Sequence, residues 1–148
     1  MQGELIMFVG LPGSGKSTYF QKYFSSKRYI RLSLDDFRKL ITGHDYHEPF
    51  EPVAHAWIEQ TGRYFLSQGY RVILDNTHLR RGLRTKWCRI ARQYDAKVSA
   101  CYFKTSLETC LERNAQRERK VPEEVLKRMH EQFEEILPEE DFDEIVVI

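Results

Sequence analysis

The alternation of apolar and polar stretches along the chain predicts strands and helices that follow one another in turn. Short apolar runs predict five strands, at residues 4–9, 28–32, 70–74, 97–103 and 144–148. The first run, ELIMFV, is continuously apolar, which is typical of a parallel strand that is buried on both faces.

The segments between these strands carry apolar residues at three- and four-residue spacing, which predicts helices. The predicted helices cover residues 16–25, 35–43, 52–67, 81–94, 106–117 and 122–136. Three of them carry boundary signals: Gly69 follows the end of the third, Ser106 caps the fifth, and Pro122 opens the sixth.

Strands that alternate with helices predict an α/β fold with a parallel sheet of about five strands and helices on both faces. Ligands in such sheets bind beyond the carboxyl ends of the strands. The segments that follow the first four strands are therefore expected to converge on one functional edge. The length of 148 residues suits a single domain, so residues 1–148 are predicted to form one unit.

Composition narrows the class of protein. No apolar run reaches the roughly 18 residues of a membrane span, so no contact with a membrane is expected. The first residues, MQGELIMFVG, have no basic region before their apolar run, and they predict a strand rather than a signal peptide. The three cysteines, Cys88, Cys101 and Cys110, lack metal-type spacing, which favours free thiols in a cytoplasmic protein.

The net charge is +1, but the two signs are unevenly distributed. Residues 80–92 carry only positive charges, whereas residues 131–144 are mostly acidic. The basic stretch could meet the phosphates of a polyanionic acceptor, or it could be an ordinary solvated helix face. The role of Trp87, inside this stretch, stays open.

Two further groups of side chains give no indication of a metal site or of a platform for bases. His44, His47 and His55 lie in one stretch, but no cysteine accompanies them, and a metal site there is not expected. Aromatic and aliphatic residues of the third helix are expected to form its core face rather than a platform for bases: Val53, Trp57, Ile58, Tyr64 and Phe65.

The strongest motif directly follows the first strand. It matches G-x-x-x-x-G-K-[ST] over Gly10, Leu11, Pro12, Gly13, Ser14, Gly15, Lys16 and Ser17. Glycines let successive backbone N–H groups point at phosphates, and the next helix presents its positive N-terminus to the same anion. Lys16 would reach the β- and γ-phosphates, and the Ser17 hydroxyl could ligate Mg²⁺. Thr18 completes the predicted nucleotide site, which identifies a P-loop NTPase fold.

The rest of the sequence favours a kinase among P-loop proteins. The N-K-x-D and D-x-x-G strings of guanine-binding switches are absent, and Asp75 is followed by Asn76 rather than by the glutamate of water-activating ATPases. A basic segment, RNAQRERK, is typical of the lid of small kinases. Arg113 and Arg117 within it are four residues apart and are expected to project from one helix face onto the γ-phosphate. The alternative is a surface helix whose arginines pair with Glu112 and Glu118.

Two strand ends carry candidate acceptor residues. After the second predicted strand, Asp35 could accept the proton of an attacking hydroxyl, and Arg38 could hold an acceptor phosphate. The alternatives are a carboxylate that only favours a helix start and a solvated arginine.

After the third predicted strand, Asp75 is a candidate to bind Mg²⁺ through water, as is Asp35. Asn76 and Thr77 could line an acceptor groove, and Asp75 is counted with them as an acceptor-side residue. For Asp75 the alternative is a simple cap at the end of a strand.

Four segments, GLPGSGKST, SLDDFRKL, LDNTHL and LERNAQRERKVP, together resemble the kinase module of phage-type and metazoan polynucleotide 5′-hydroxyl kinases and, more widely, small P-loop kinases. The resemblance extends from Leu5 to about Phe133. It implies ATP, Mg²⁺ and transfer to the 5′-OH of DNA or RNA. It also implies Asp35 as the general base, Arg38 as an acceptor-phosphate contact and Arg117 on the transferred phosphate.

Phage-type enzymes carry a phosphatase module that this sequence lacks, so a role in end repair would need a phosphatase or ligase partner. Three functions are compatible with the sequence. They are a polynucleotide 5′-kinase, a kinase for a small hydroxyl compound such as a nucleoside or sugar acid, and a nucleotide-binding regulatory module. The sequence leaves open the acceptor, the preferred triphosphate, the oligomeric state and the pathway.

Overall fold

The computed structural model describes residues 2–44 and 48–148. Its five strands are β1 (Glu4–Val9), β2 (Ile30–Leu32), β3 (Arg71–Asp75), β4 (Lys97–Tyr102) and β5 (Glu144–Val147). Its six α-helices are α1 (Lys16–Tyr23), α2 (Leu34–Thr42), α3 (Glu51–Ser67), α4 (Arg81–Gln93), α5 (Leu107–Ala115) and α6 (Glu123–Gln132). A short 3₁₀ helix, Glu48–Phe50, precedes α3.

The sheet has the strand order β2-β3-β1-β4-β5, and every neighbouring pair is parallel. The central strand β1 is buried from Leu5 to Val9, which explains its uninterrupted apolar sequence. The predicted α/β class and parallel sheet are confirmed.

Helices cover both faces of the sheet, as predicted. Leu5, Met7 and Val9 point to the face covered by α2, α3 and α4. Ile6 and Phe8 point to the opposite face, where the aromatic residues of α1, including Tyr19 and Phe20, pack against them. The strand period of two thus assigns alternate residues of one apolar run to two separate cores.

Backbone hydrogen bonds join the segments beyond the strand ends. The Gly10 amide donates to the carbonyl of Thr77, and the Phe103 amide donates to the carbonyl of Val9. The loop after β4 is held to the loop after β1 by the Thr105 hydroxyl, which donates to the Ser14 carbonyl at 2.8 Å. The predicted functional edge therefore exists as one connected surface.

Most predicted boundaries lie within one or two residues of the observed ones, and the differences concern packing. The buried positions of α3 are Ala54, Ile58, Gly62 and Leu66, four residues apart. Val53 and Tyr64 are exposed, at 52% and 61%, so their assignment to the core face was wrong. Trp57 does pack inside, stacked on Phe37 with ring centroids 4.0 Å apart.

The basic stretch 80–92 is mostly neutralised within the fold. The buried Arg84 pairs with Glu140 and donates to the carbonyls of His78 and Glu134. Arg92 pairs with Asp141 and Asp143. Two further pairs are Arg81 with Glu134 and Lys86 with Glu59. The acidic C-terminal stretch is thus the main partner of these cations, and neither a solvated helix face nor a continuous phosphate-binding surface describes them.

Trp87 is 3% exposed and belongs to the main core. The three cysteines are free and buried. His47 lies outside the described residues, and within those residues no group of three or more His, Cys, Asp or Glu side chains is placed to hold a metal ion. In the same part of the chain, no helix is both long enough and apolar enough to cross a membrane.

Candidate active site

The loop between β1 and α1 has the backbone that the motif predicts. Gly13 and Gly15 adopt φ of 80° and 105°, in the left-handed region that favours glycine. A Cβ on Gly13 would lie 2.8 Å from the carbonyl oxygen of Cys110, so α5 packs directly against this loop. Any larger residue at position 13 would displace the loop from α5.

Lys16, the first residue of α1, folds back over this loop. Its Nζ donates to the carbonyl of Gly10 at 2.6 Å and to that of Leu11 at 3.3 Å. Burial lowers the pKa of Lys16 from 10.5 to about 8, with the Arg117 charge adding to this effect, and the charges of Asp75 and Asp35 partly oppose it. These four charged groups therefore belong to one electrostatic site.

This shift predicts a pH dependence of nucleotide binding. A bound triphosphate stabilises the charged lysine, so above pH 8 binding requires uptake of a proton. Affinity should then fall by about tenfold per pH unit, because the triphosphate is already fully ionised in this range. Dissociation constants measured from pH 7 to pH 10 check this. The Lys16→Arg variant is the control and should show no such decline, since arginine stays charged. A wild-type affinity that is constant up to pH 10 would contradict the prediction.

Asp35 is held at the start of α2. Ser33 caps this helix by accepting a hydrogen bond from the Asp36 amide at 3.3 Å, as an N-cap serine does. The Leu34 amide donates to Oδ1 of Asn76 at 2.9 Å, which ties the helix start to the end of β3. Asn76 thus contributes to the position of Asp35 rather than serving only as a groove residue.

The two carboxylate oxygens of Asp35 differ in their surroundings. Arg38 donates to Oδ1 at 2.7 Å, and Arg119 contacts the same oxygen at 3.3 Å. Among the described residues, the side-chain hydrogen bond to Asp35 goes to Oδ1, and none goes to Oδ2. One oxygen is therefore oriented by arginines while the other remains able to accept a proton.

Arg38 is engaged more fully than the sequence suggested. Its Nε donates to Oε2 of Glu51 at 2.7 Å, and its Nη2 pairs with Oε1 of Glu51 in a bidentate contact. An acceptor phosphate at Arg38 would have to compete with Glu51 and Asp35 for the guanidinium group.

Asp75 is nearly buried and is paired with Arg31. Nε and Nη2 of Arg31 lie 2.9 and 2.7 Å from Oδ2 of Asp75, and Nη1 pairs with Asp36. Arg31 was not predicted from the sequence as a site residue. A charged side chain inside a short strand was the available signal, because such a residue needs a buried partner.

The lid arginines are arranged differently from the prediction. Helix α5 ends at Ala115, so Arg113 lies on the helix and Arg117 lies in the loop beyond it; the shared helix face was wrong. The physical reason is Asn114, which is buried: its side-chain amide donates to the Val121 carbonyl at 2.7 Å and accepts from the Val121 amide at 2.9 Å. This pair of bonds closes the loop that carries Arg117.

Positive side chains around the cleft separate into two groups. On the acceptor side, Arg31, Arg38 and Arg119 hold carboxylates. On the lid side, Arg117, Lys120 and Arg128 line the cleft and form no ion pair with a described residue. Arg113 contacts only the Gly13 carbonyl there, at 3.4 Å. The lid side therefore keeps a positive field that suits a polyphosphate.

All these groups share one open cleft of about 1500 Å³. The predicted site residues that line it are Pro12, Gly13, Ser14, Gly15, Lys16, Ser17, Thr18, Asp35, Arg38, Asp75, Asn76, Thr77, Arg113 and Arg117. Gly10 and Leu11 do not line it. Leu11 packs against Cys110 and Leu126 instead, and Gly10 contributes its carbonyl to Lys16.

The donor groups in the cleft fit magnesium. Mg²⁺ in phosphoryl-transfer sites takes one or two protein oxygens and keeps phosphate and water as its other ligands. The exposed Ser17 hydroxyl, beside Lys16, and the carboxylates of Asp75 and Asp35 line the same cleft as hard oxygen donors.

A family model described as an AAA domain (AAA_33) matches residues 5–136. The L-seryl-tRNA(Sec) kinase of Methanococcus maripaludis is 33% identical over 138 residues, which cover 88% of this chain and 52% of that protein. A putative bifunctional polynucleotide kinase/RNA ligase of Autographa californica nuclear polyhedrosis virus is 29% identical over 146 residues, 88% of this chain and 21% of that protein.

Among solved structures, a chain of the Pnkp1/Rnl/Hen1 RNA repair complex superposes with a TM-score of 0.77 at 26% identity. The match covers 88% of this chain and 44% of that chain. The present chain thus spans about half or less of the length of each of these three proteins.

Proposed function

The chain belongs to the AAA_33 family of AAA domains, and on this premise we propose that it is an ATP-dependent kinase that transfers the γ-phosphoryl group to a hydroxyl. The observation that carries the proposal is the single cleft that contains the phosphate-binding loop, a carboxylate at the end of β2 and the lid arginines. A nucleotide-binding regulatory module would need no such carboxylate. We further propose that residues 1–148 act as one kinase domain.

In the proposed reaction, the loop amides and Lys16 hold the β- and γ-phosphates. The oxygen of the acceptor hydroxyl forms a bond to the γ-phosphorus, and Oδ2 of Asp35 accepts the proton of that hydroxyl. The bond from that phosphorus to the oxygen bridging to the β-phosphate breaks, and ADP carries away the electron pair. Arg113 and Arg117 neutralise the charge that spreads over the transferred group, which is the main catalytic task in phosphoryl transfer.

Magnesium would be held by Ser17, with Asp75 or Asp35 acting through water. When bound, it would supply charge neutralisation between the phosphates. Arg31 would keep Asp75 oriented for this role, because its hydrogen bond goes to Oδ2 and leaves the other carboxylate oxygen for the metal-bound water.

Replacing Arg117 by alanine is expected to lower kcat by about 10²- to 10³-fold and to change ATP affinity by less than about threefold. The reason is that its contact strengthens as charge develops on the transferred group. Gln116→Ala, in the same loop but outside the cleft lining, is the matched control. Steady-state rates and equilibrium ATP binding together check this; a loss confined to ATP affinity would make Arg117 a simple nucleotide clamp.

For the acceptor, we propose the 5′-OH end of RNA or DNA. The names of the two curated relatives mention tRNA or a polynucleotide, and the structural neighbour at 26% identity belongs to an RNA repair complex. A ligase or phosphatase would then complete end repair in a partner protein or a further domain.

A small hydroxyl compound is the second candidate. It is favoured by the ion pairing of the basic stretch 80–92, which removes most of the positive surface that a long nucleic acid would use.

The test is phosphoryl transfer from γ-labelled ATP with magnesium. The acceptors are a 5′-hydroxyl RNA oligonucleotide, the matching DNA, a 5′-phosphorylated control, and a panel of nucleosides and sugar acids. Label on the 5′-hydroxyl ends alone supports the first candidate. Label on a small compound alone rejects the nucleic-acid acceptor and keeps the kinase. ATP hydrolysis without any labelled acceptor would overturn both.

A further inference from the structure

A second cavity of about 280 Å³ opens beside the main cleft, between α2, α3 and α4. It shares lining residues with the cleft, namely Leu34, Arg38, Asn76, Thr77 and Gln132. A molecule in this side pocket would therefore reach directly into the space beside Asp35.

The side pocket combines apolar walls with a basic rim. Ile58, Leu79, Leu83 and Trp87 supply the walls. Arg38, His55 and Arg80 contribute the basic groups, and none of the described residues that line the pocket is a carboxylate. Glu51, outside this lining, contacts both Arg38 and His55, so Arg80 is the basic group of the rim that carries the argument. The main cleft differs sharply, since four acidic residues line it: Asp35, Asp36, Glu51 and Asp75. The pocket therefore suits a flat or apolar group joined to an anion.

Arg80 is distinct within the basic stretch. Four other cations of this stretch, Arg81, Arg84, Lys86 and Arg92, form ion pairs with carboxylates. Arg80 is exposed, forms no ion pair with a described residue and lies at the rim of the pocket. Arg89 is also exposed and without such a pair, but it lines neither cavity.

We propose that the side pocket binds the terminal nucleoside of the acceptor strand and that Arg80 binds the first phosphate beyond it. This inference rests on the proposed kinase function and deepens it. The volume of about 280 Å³ lies just below the usual range of roughly 300–1,000 Å³ for ligand pockets, which limits the occupant to about one nucleoside and leaves the rest of the strand outside. Only one phosphate contact is then needed near the pocket, so a nucleic acid can be recognised without a long basic surface.

The proposal has a direct binding test. Affinity of a fluorescent 5′-hydroxyl RNA oligonucleotide is measured by anisotropy between 50 and 300 mM salt for the wild type, Arg80→Ala and Arg89→Ala. Loss of one phosphate contact to a single strand should reduce the slope of log K against log salt by about 0.7 and weaken binding by about fourfold near 0.15 M salt. Arg89→Ala should behave as the wild type.

A pocket-filling variant tests the nucleoside site. Leu83→Trp should weaken binding of the same oligonucleotide while leaving ATP affinity unchanged, because Leu83 does not line the main cleft. Should Leu83→Trp fail to fold, the Arg80 comparison still decides. Equal slopes and affinities for Arg80→Ala and Arg89→Ala would overturn the proposal, as would a wild type that does not bind the oligonucleotide.

Different outcomes contradict the proposed kinase function and the proposed pocket. Absence of transfer to any 5′-hydroxyl end, alongside an Arg80-dependent slope, would overturn the proposed reaction and keep the pocket assignment. Transfer that is equally fast in Arg80→Ala and Arg89→Ala at acceptor concentrations below KM would keep the kinase and reject the pocket.

Discussion

Replacing Asp35 by asparagine is expected to lower the rate of phosphoryl transfer by about 10²- to 10⁴-fold, the usual contribution of a positioned general base. Asparagine keeps the shape and can still accept the hydrogen bond from Arg38 at Oδ1. It loses the anionic oxygen that would take the proton of the attacking hydroxyl. ATP affinity should stay within about threefold of the wild type, because Asp35 serves the acceptor rather than the nucleotide. Single-turnover transfer and equilibrium ATP binding are the two measurements.

Asp36→Asn is the matched control for this experiment. Asp36 is the next residue, also lies in the first turn of α2, is exposed and lines the same cleft. Its carboxylate pairs with Arg31 instead of facing Arg38 and Arg119. A loss in Asp36→Asn as large as that in Asp35→Asn would show that the charge of the helix start matters. A loss in Asp36→Asn alone would move the base to Asp36.

Replacing Lys16 by alanine should reduce transfer by at least about 10²- to 10³-fold, since a cation at the transferred phosphate is removed from a partly buried site. Unlike Asp35, Lys16 should also affect the ground state. A charge-assisted hydrogen bond is worth roughly 1.5–3 kcal/mol, which corresponds to a loss of ATP affinity of about 10- to 150-fold. Calorimetric or fluorescence titration with a non-hydrolysable ATP analogue measures this loss.

Lys22→Ala is the control for Lys16. Lys22 lies on the same helix and also lines the cleft, but it is exposed and near the last turn, away from the phosphate-binding loop. Its removal should change ATP affinity by less than about threefold. Full turnover in Lys16→Ala would overturn the assignment of the phosphate cradle.

The apolar pattern determined the architecture without help from tertiary contacts. A short apolar run that ends at a glycine, as in β1, favours a strand buried on both faces, and the intervening helices then cover those faces. The phosphate-binding loop was equally determined, because its glycines are required by local backbone geometry. Local signals were also sufficient to place the start of a helix, as at Ser106. Its hydroxyl accepts a hydrogen bond from the Thr109 amide, as expected of an N-cap residue.

Side-chain pairing over long sequence separations was decided only by the tertiary structure. Nothing near Arg84 in the sequence shows that it is fully buried against Glu140, 56 residues away. The lid illustrates the same limit on a shorter scale. The spacing of Arg113 and Arg117 predicted one helix face, yet the Asn114 amide, paired with the Val121 backbone, ends the helix between them.

The local elements could be predicted and the long-range side-chain pairs could not, because the interactions that determine them differ in range. Periodicity and capping depend on neighbours within a few residues, and they can be predicted from the sequence. Which arginine meets a carboxylate and which remains available for phosphate depends on distances that exist only after folding. The sequence alone therefore determined the fold and the phosphate cradle, whereas the distinction between the paired Arg38 and the available Arg80 and Arg117 came from the tertiary structure.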